Sequence, residues 1–125
     1  MSFSNYLETK VLGHVFGGTA YTAPSKYVAL FTTAPGEAGG GGEVSGGSYA
    51  RKPVTFTVSG NTASNDVVVE FPTASADWGT VTHMAIFDAV SGGNMLAYAA
   101  LTASRTILAG DIARFPIGDI TITLD

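Results

Sequence analysis

Val81-Thr82-His83-Met84-Ala85-Ile86-Phe87 and Met95-Leu96-Ala97-Tyr98-Ala99-Ala100-Leu101 are the stretches whose reading decides the fold. Between them, Asp88-Ala89-Val90-Ser91-Gly92-Gly93-Asn94 reads as a Gly-containing hairpin loop, so the two stretches pair as antiparallel strands. Simple alternation sets Val81, His83, Ala85 and Phe87 on one face of the first strand, with Met84 and Ile86 on the other. In the second strand Met95, Ala97, Ala99 and Leu101 oppose Leu96, Tyr98 and Ala100. Both faces are apolar. An antiparallel sheet with one wet face is not written this way. The hairpin is therefore covered on both sides, either at the centre of a sandwich or where subunits meet.

Strand signals extend outward from it. Tyr27 to Thr32 is a buried-strand run broken by Ala34-Pro35-Gly36. Val54, Phe56 and Val58 alternate with Thr55 and Thr57, Ser59-Gly60-Asn61 is a turn, and Val67 to Phe71 is a second strand stopped by Pro72. Short pieces follow around Arg105 to Ile107 and Ile112 to Phe115, with Gly110-Asp111 turning between them. The last strand points Ile120, Ile122 and Leu124 inward and Asp119, Thr121 and Thr123 outward. Short strands at turn-limited spacing predict an all-β fold, an antiparallel β-sandwich or jelly-roll.

Two segments depart from that pattern. Asn5 and Glu8 have capping-box spacing; Leu7, Val11 and Val15, flanked by Leu12 and Phe16, form an apolar stripe; Gly17-Gly18 is a stop. Residues 1–18 are thus an N-terminal helical segment. It can cover one end of the β core or dock on a neighbouring subunit, and the first use is favoured. Residues 36–48 are too rich in glycine to repay the entropy of ordering, and read as a long, flexible surface loop. No Gly-Lys-Ser/Thr follows it, so a phosphate cradle is disfavoured, while ordering against a partner stays open. The whole of residues 1–125 reads as a single β domain.

Composition says where such a domain works. Charged residues make up 13% of 125, against roughly 25% in soluble domains. Apolar residues reach 46% and the mean hydropathy is +0.28, yet no apolar run approaches the ~18 residues of a membrane span. Protein is the natural cover for such a surface: further copies of the chain or neighbouring subunits. A net charge of −4 and a pI near 4.9 oppose nucleic-acid binding. Arg51-Lys52 is the one basic pair, read as a solvated strand end. There is no cysteine, so disulfides and thiol chemistry are excluded. Met1-Ser2-Phe3-Ser4 lacks the basic flank and apolar stretch of a secretory leader, which predicts intracellular synthesis.

Catalytic patterns are weak. His14 lies at the helix end, where a cation suits the dipole, and His83 reads as a hydrogen-bonded core or interface residue. No spacing of His and Asp supplies three metal ligands, and no Gly-x-Ser-x-Gly elbow is present. Asp77, Asp88, Asp111 and Asp119 sit beside turn residues, where carboxylates cap backbone N–H groups. Trp78, the lone tryptophan, is assigned to core or interface packing ahead of sugar stacking. No cofactor, metal or catalytic residue is expected.

The segment His14-Val15-Phe16-Gly17-Gly18-Thr19-Ala20-Tyr21-Thr22-Ala23-Pro24-Ser25, running into Tyr27-Val28-Ala29-Leu30-Phe31-Thr32-Thr33-Ala34-Pro35, resembles the opening of a family of small tailed-bacteriophage virion proteins, usually labelled phage tail or tail-fibre proteins. The resemblance continues through Glu43 to Arg51, Val54-Thr55-Phe56, Ala76 to His83, the hairpin and Gly118 to Ile122, so it spans essentially the whole chain. These are motifs of turns and strands. The resemblance implies a virion protein, synthesised in the host cytoplasm and sited on the tail or the capsid surface. Taken with low charge and two-sided strands, the resemblance implies a non-enzymatic structural subunit, tail-associated, acting through self-association and packing on other virion proteins, with neither nucleic acid nor membrane as partner. A capsid decoration (cement) protein is the alternative. A host-surface carbohydrate-binding module, using Tyr21, Tyr49 and Trp78 on one loop face, is the second. The expected interface residues are Leu7, Val11 and Val15 on the helix, Trp78 in the Ala76-Asp77-Trp78-Gly79 turn, and Met84, Ile86, Leu96 and Tyr98 on the strands.

Overall fold

The computed structural model describes residues 1–124. Its spine is the expected hairpin, β7 (Gly79–Phe87) with β8 (Met95–Ile107), to which β2 (Tyr27–Phe31), β1 (Ser2–Phe3) and β3 (Lys52–Pro53) add to give an antiparallel sheet of order β1-β8-β7-β2-β3. Three short strands form a second sheet, β10 (Thr121–Thr123), β5 (Thr62–Asn65) and β4 (Phe56–Ser59); β6 (Val69–Glu70) pairs with β9 (Arg114–Phe115). The small sheets cover one face of the large one, making an all-β sandwich of unequal layers. Between them lies the main core, including Val28, Leu30, Val54, Phe71, Met84, Ile86 and Ile120.

The large sheet is buried on its other face as well. There Ala29, Phe31, Ala85, Phe87 and Met95 form a second cluster with Tyr98 against it. Its cover comes from the same chain: the Arg51 guanidinium lies 3.8 Å from the Phe87 ring centre, and the backbone of the Gly-rich segment lies on Met95. At Gly39, with φ +79°, an added Cβ would come within 3.3 Å of the Met95 side chain, so glycine is what lets the backbone approach this closely. The same segment is anchored further on, where the Thr32 N–H donates to Gly42 O, the Val44 N–H donates to Leu30 O, and Val44 is buried in the main core.

Register departs from simple alternation at two irregularities. Val81 pairs with Arg105 and His83 with Ala100, so two steps along β7 correspond to five along β8. This slip turns Val81 into the main core with Met84 and Ile86, away from the Ala85 and Phe87 face expected for it. Ile86 pairs with Ala97 and Phe87 with Met95, which leaves Leu96 as an extra residue. Met95 and Leu96 consequently face opposite clusters, and Leu96 joins the face of Ala97. The strand expected at Val67 to Phe71 is mostly displaced by β5, whose Thr62 pairs with Ser59 across the Gly60-Asn61 turn. A two-residue turn forces the residues directly after it into the ladder, whatever their hydropathy.

Helix α1 (Asn5–Val15) begins at Asn5, the residue expected to cap it, so the cap moves one residue back. Ser4 is the N-cap: its Oγ accepts from the Leu7 N–H at 3.1 Å and donates to Met95 O, binding the helix to the start of β8. The apolar stripe divides. Leu7 packs on the main core and Val11 is half-buried, whereas Leu12, Val15 and Phe16 are 59%, 61% and 81% exposed. Accessible surface totals 6,689 Å², close to the ~6,300 Å² of a folded monomer of this mass.

Candidate interaction surface

The helix presents its unpartnered face first. Residues 8, 12, 15 and 16 fall within roughly 100° of one another on a 3.6-residue helix. Glu8, Leu12, Val15 and Phe16 thus make one convex patch, apolar with a single acid at its N-terminal end, and all four are exposed.

A concave counterpart lies where the two layers of the sandwich part. This groove, of about 390 Å³, has Ile86, Leu96 and Ala97 of the large sheet on its floor, and Phe56 and Ile122 of the small sheet as its far wall. Phe3 and Leu7 close one end. The rim carries Val58 and Leu124, 71% and 52% exposed. Lys26 is the one charged residue in the lining; its Nζ donates to Pro24 O and meets no carboxylate among the described residues.

Of the eight expected interface residues, Trp78, Met84, Ile86 and Leu96 are core residues of this chain. The small sheets that bury them were not legible as a cover, so their apolar character was open to being read as contact surface. Ile86 and Leu96 still reach the groove floor. Leu7 and Val11 are half-buried, Tyr98 is half-buried at the edge of the second cluster, and Val15 alone of the eight is well exposed.

Trp78 has 6% of its surface exposed. Its Nε1–H donates to Gly47 O at 2.8 Å, and its ring meets Tyr49 and Phe71 edge-on at 5.4 and 6.4 Å. Tyr49 stacks on Phe71, and Tyr21 packs against Tyr6. Trp78 and Tyr49 are thus engaged in packing, and Tyr21 is half-buried.

Arg51 is the residue that sequence reasoning misplaced. It is a clamp, 8% exposed, and its pairing with Glu43 is the one ion pair among the described residues. Nε and Nη2 donate to the two Glu43 carboxylate oxygens at 2.8 Å each. Nη1 donates to Ala89 O at 2.9 Å and Gly92 O at 2.8 Å. One guanidinium thus ties the Gly-rich segment to the β7–β8 loop while lying on Phe87. Tyr49 completes the group, donating its O–H to Glu43 at 2.7 Å and accepting from the Leu30 N–H. Burial pushes the Glu43 carboxyl up, but the Arg51 and Tyr49 hydrogen bonds outweigh it and hold the group below its ordinary range. Burial, then the Glu43 carboxylate, raises the Tyr49 hydroxyl. The one available signal was an acid and a base eight positions apart on either side of a glycine run.

The remaining polar groups serve turns. Asp77, Asp88 and Asp111 accept from the N–H groups of Ala109, Asn94 and Leu108, as expected for carboxylates in turns. His14 Nδ1 accepts from the Tyr21 N–H, and His83 Nδ1 bonds the Thr82 hydroxyl. A cleft of about 190 Å³ beside the β8 slip carries Arg105, Arg114 and Asp119 at its mouth, with a single carboxylate in its lining. Among the described residues no three His, Asp or Glu side chains cluster as a metal site.

Comparison with known proteins places this architecture. No curated protein matches the chain. The family model described as podophage GP4 fiber I protein gp80 matches residues 2–123. That match covers both layers of the sandwich, the helix and all of the groove lining but Leu124, and agrees with the phage tail or tail-fibre resemblance carried by the turn and strand motifs. The chain belongs to the podophage GP4 fiber I protein gp80 family.

Proposed function

We propose that the chain is a non-enzymatic structural subunit of the virion, tail-associated, held in place by self-association and by packing on other virion proteins. Family membership supports the virion role and favours the tail over the capsid surface. The observation that carries the mode of action is the pair of uncovered apolar surfaces, the convex outer face of α1 and the concave mouth of the sandwich. Large apolar patches on a folded domain mark contact sites, and with few charges on the chain, copies pack with little repulsion. The chain acts as one folded unit, in which Arg51 fixes the Gly-rich segment and leaves the helix and groove as contact surfaces. Its partners are proteins: an acidic chain with six basic residues offers little to phosphates, and among the described residues no helix is long and apolar enough to cross a membrane. Cryo-electron microscopy of the virion tests the assignment. Density for this sandwich in repeated copies at the tail is expected, and density on the capsid lattice, or none in the particle, refutes it.

A further inference from the structure

We infer that the groove between the sheets receives the outer face of helix α1 from a second copy of this chain. The inference rests on the self-association reading and names the surfaces that perform it. The groove is apolar, open to solvent, and at interior packing density takes roughly two phenylalanine-sized side chains. The chain also carries a matching projection, in which Leu12, Val15 and Phe16 are exposed on the outer side of the helix.

The two cannot meet within one molecule. Leu7, on the first turns of α1, already lines the groove. Phe16 lies nine residues further on, roughly 13 Å along a rigid helix. The occupant is therefore a different molecule.

Charge identifies that molecule as another copy. The convex face bears one charged residue, Glu8, and the groove lining bears one, Lys26. Neither has an ion-pair partner among the described residues. Seating Phe16 on the groove floor with Glu8 toward the rim lets each uncompensated charge find its opposite, within a contact that is otherwise apolar on both sides. Because knob and groove are different patches, the contact is head-to-tail, and its repetition closes a ring or extends a filament.

Sedimentation velocity over a concentration series, on wild type and four variants, tests the inference. Phe16→Ser removes the central anchor from an exposed position, so folding is unaffected; it weakens association about 30-fold. Glu8→Lys and Lys26→Glu each weaken it about fivefold, and the double reversal returns it to within about twofold of wild type. A wild-type chain that is monomeric throughout sinks both this inference and the self-association reading. Wild-type association that ignores Phe16→Ser, or a double reversal no better than its parents, overturns this contact alone and leaves self-association through another face.

Discussion

Replacing Arg51 with alanine is the most discriminating single perturbation of the fold, because sequence and structure assign that residue opposite roles. A solvated strand end loses less than about 0.5 kcal/mol on truncation. In the structure the truncation removes four hydrogen bonds of 2.8–2.9 Å and the stacking on Phe87. It also leaves the Glu43 carboxylate with the Tyr49 hydroxyl alone and strands the carbonyls of Ala89 and Gly92. Breaking a buried pair by removing one partner costs about 3–5 kcal/mol. Glu43 keeps 26% of its side-chain surface in water, which lowers the expected loss to about 2–4 kcal/mol. For a domain of this size that is roughly a 10 °C fall in Tm. Arg51→Lys keeps the charge without the fork that spans two carboxylate oxygens and two carbonyls, and should lose about 1–2 kcal/mol. Urea denaturation followed by far-ultraviolet circular dichroism measures both, and combination with Glu43→Gln isolates a coupling of about 1–3 kcal/mol. A loss under about 0.5 kcal/mol for Arg51→Ala, or a coupling of zero, would refute the clamp.

Other consequences follow from the same geometry. Ser4→Ala removes the helix cap and the hydroxyl that binds Met95 O, and is expected to cost about 1–3 kcal/mol by the same denaturation assay. Gly47→Ala places a Cβ 2.8 Å from Trp78 Nε1 at a φ of +56°; the displaced indole should red-shift its fluorescence, with a loss of about 2–4 kcal/mol. The Glu43 carboxyl titrates below its ordinary 4.5 in the fold, so the folded state holds its proton less tightly than the unfolded chain. Its contribution is therefore complete above about pH 5 and lost as the pH falls through the folded value. Denaturation midpoints should drop more steeply in acid for wild type than for Glu43→Gln, and parallel curves would contradict the assignment.

The elements that were legible in the sequence are those whose patterning is local. The runs Tyr27 to Phe31, Val81 to Phe87 and Met95 to Leu101 announce strands, and all three sit at the centre of the large sheet, although β8 is buried only over Met95–Ala97 and at Ile107 and opens to solvent between. What hid itself was set by pairing across the fold. The slip at Val81/His83 depends on how many residues β8 spends opposite β7, and no property of Val81 alone reveals it. β5, reading Thr-Ala-Ser-Asn, has no apolar alternation and exists because the Gly60-Asn61 turn brings it beside β4. Arg51 looked solvated because its partners lie across a glycine run and in a distant hairpin loop. For the contact surface, the helix was visible as apolar. Which of its residues face out was not, since Leu7, Val11 and Val15 share one stripe in sequence while the fold covers only part of it.

Hydroxyl-radical footprinting of the isolated chain and of the intact virion, read residue by residue by mass spectrometry, addresses the central claim most directly. Leu12, Phe16, Val58 and Leu124 are open in the single chain and should be strongly labelled there and protected in the particle, while Val90 and Ile117, exposed but outside both surfaces, serve as references. Equal labelling of Phe16 and Leu124 in the two samples would mean that the virion leaves these surfaces bare, and would contradict the account.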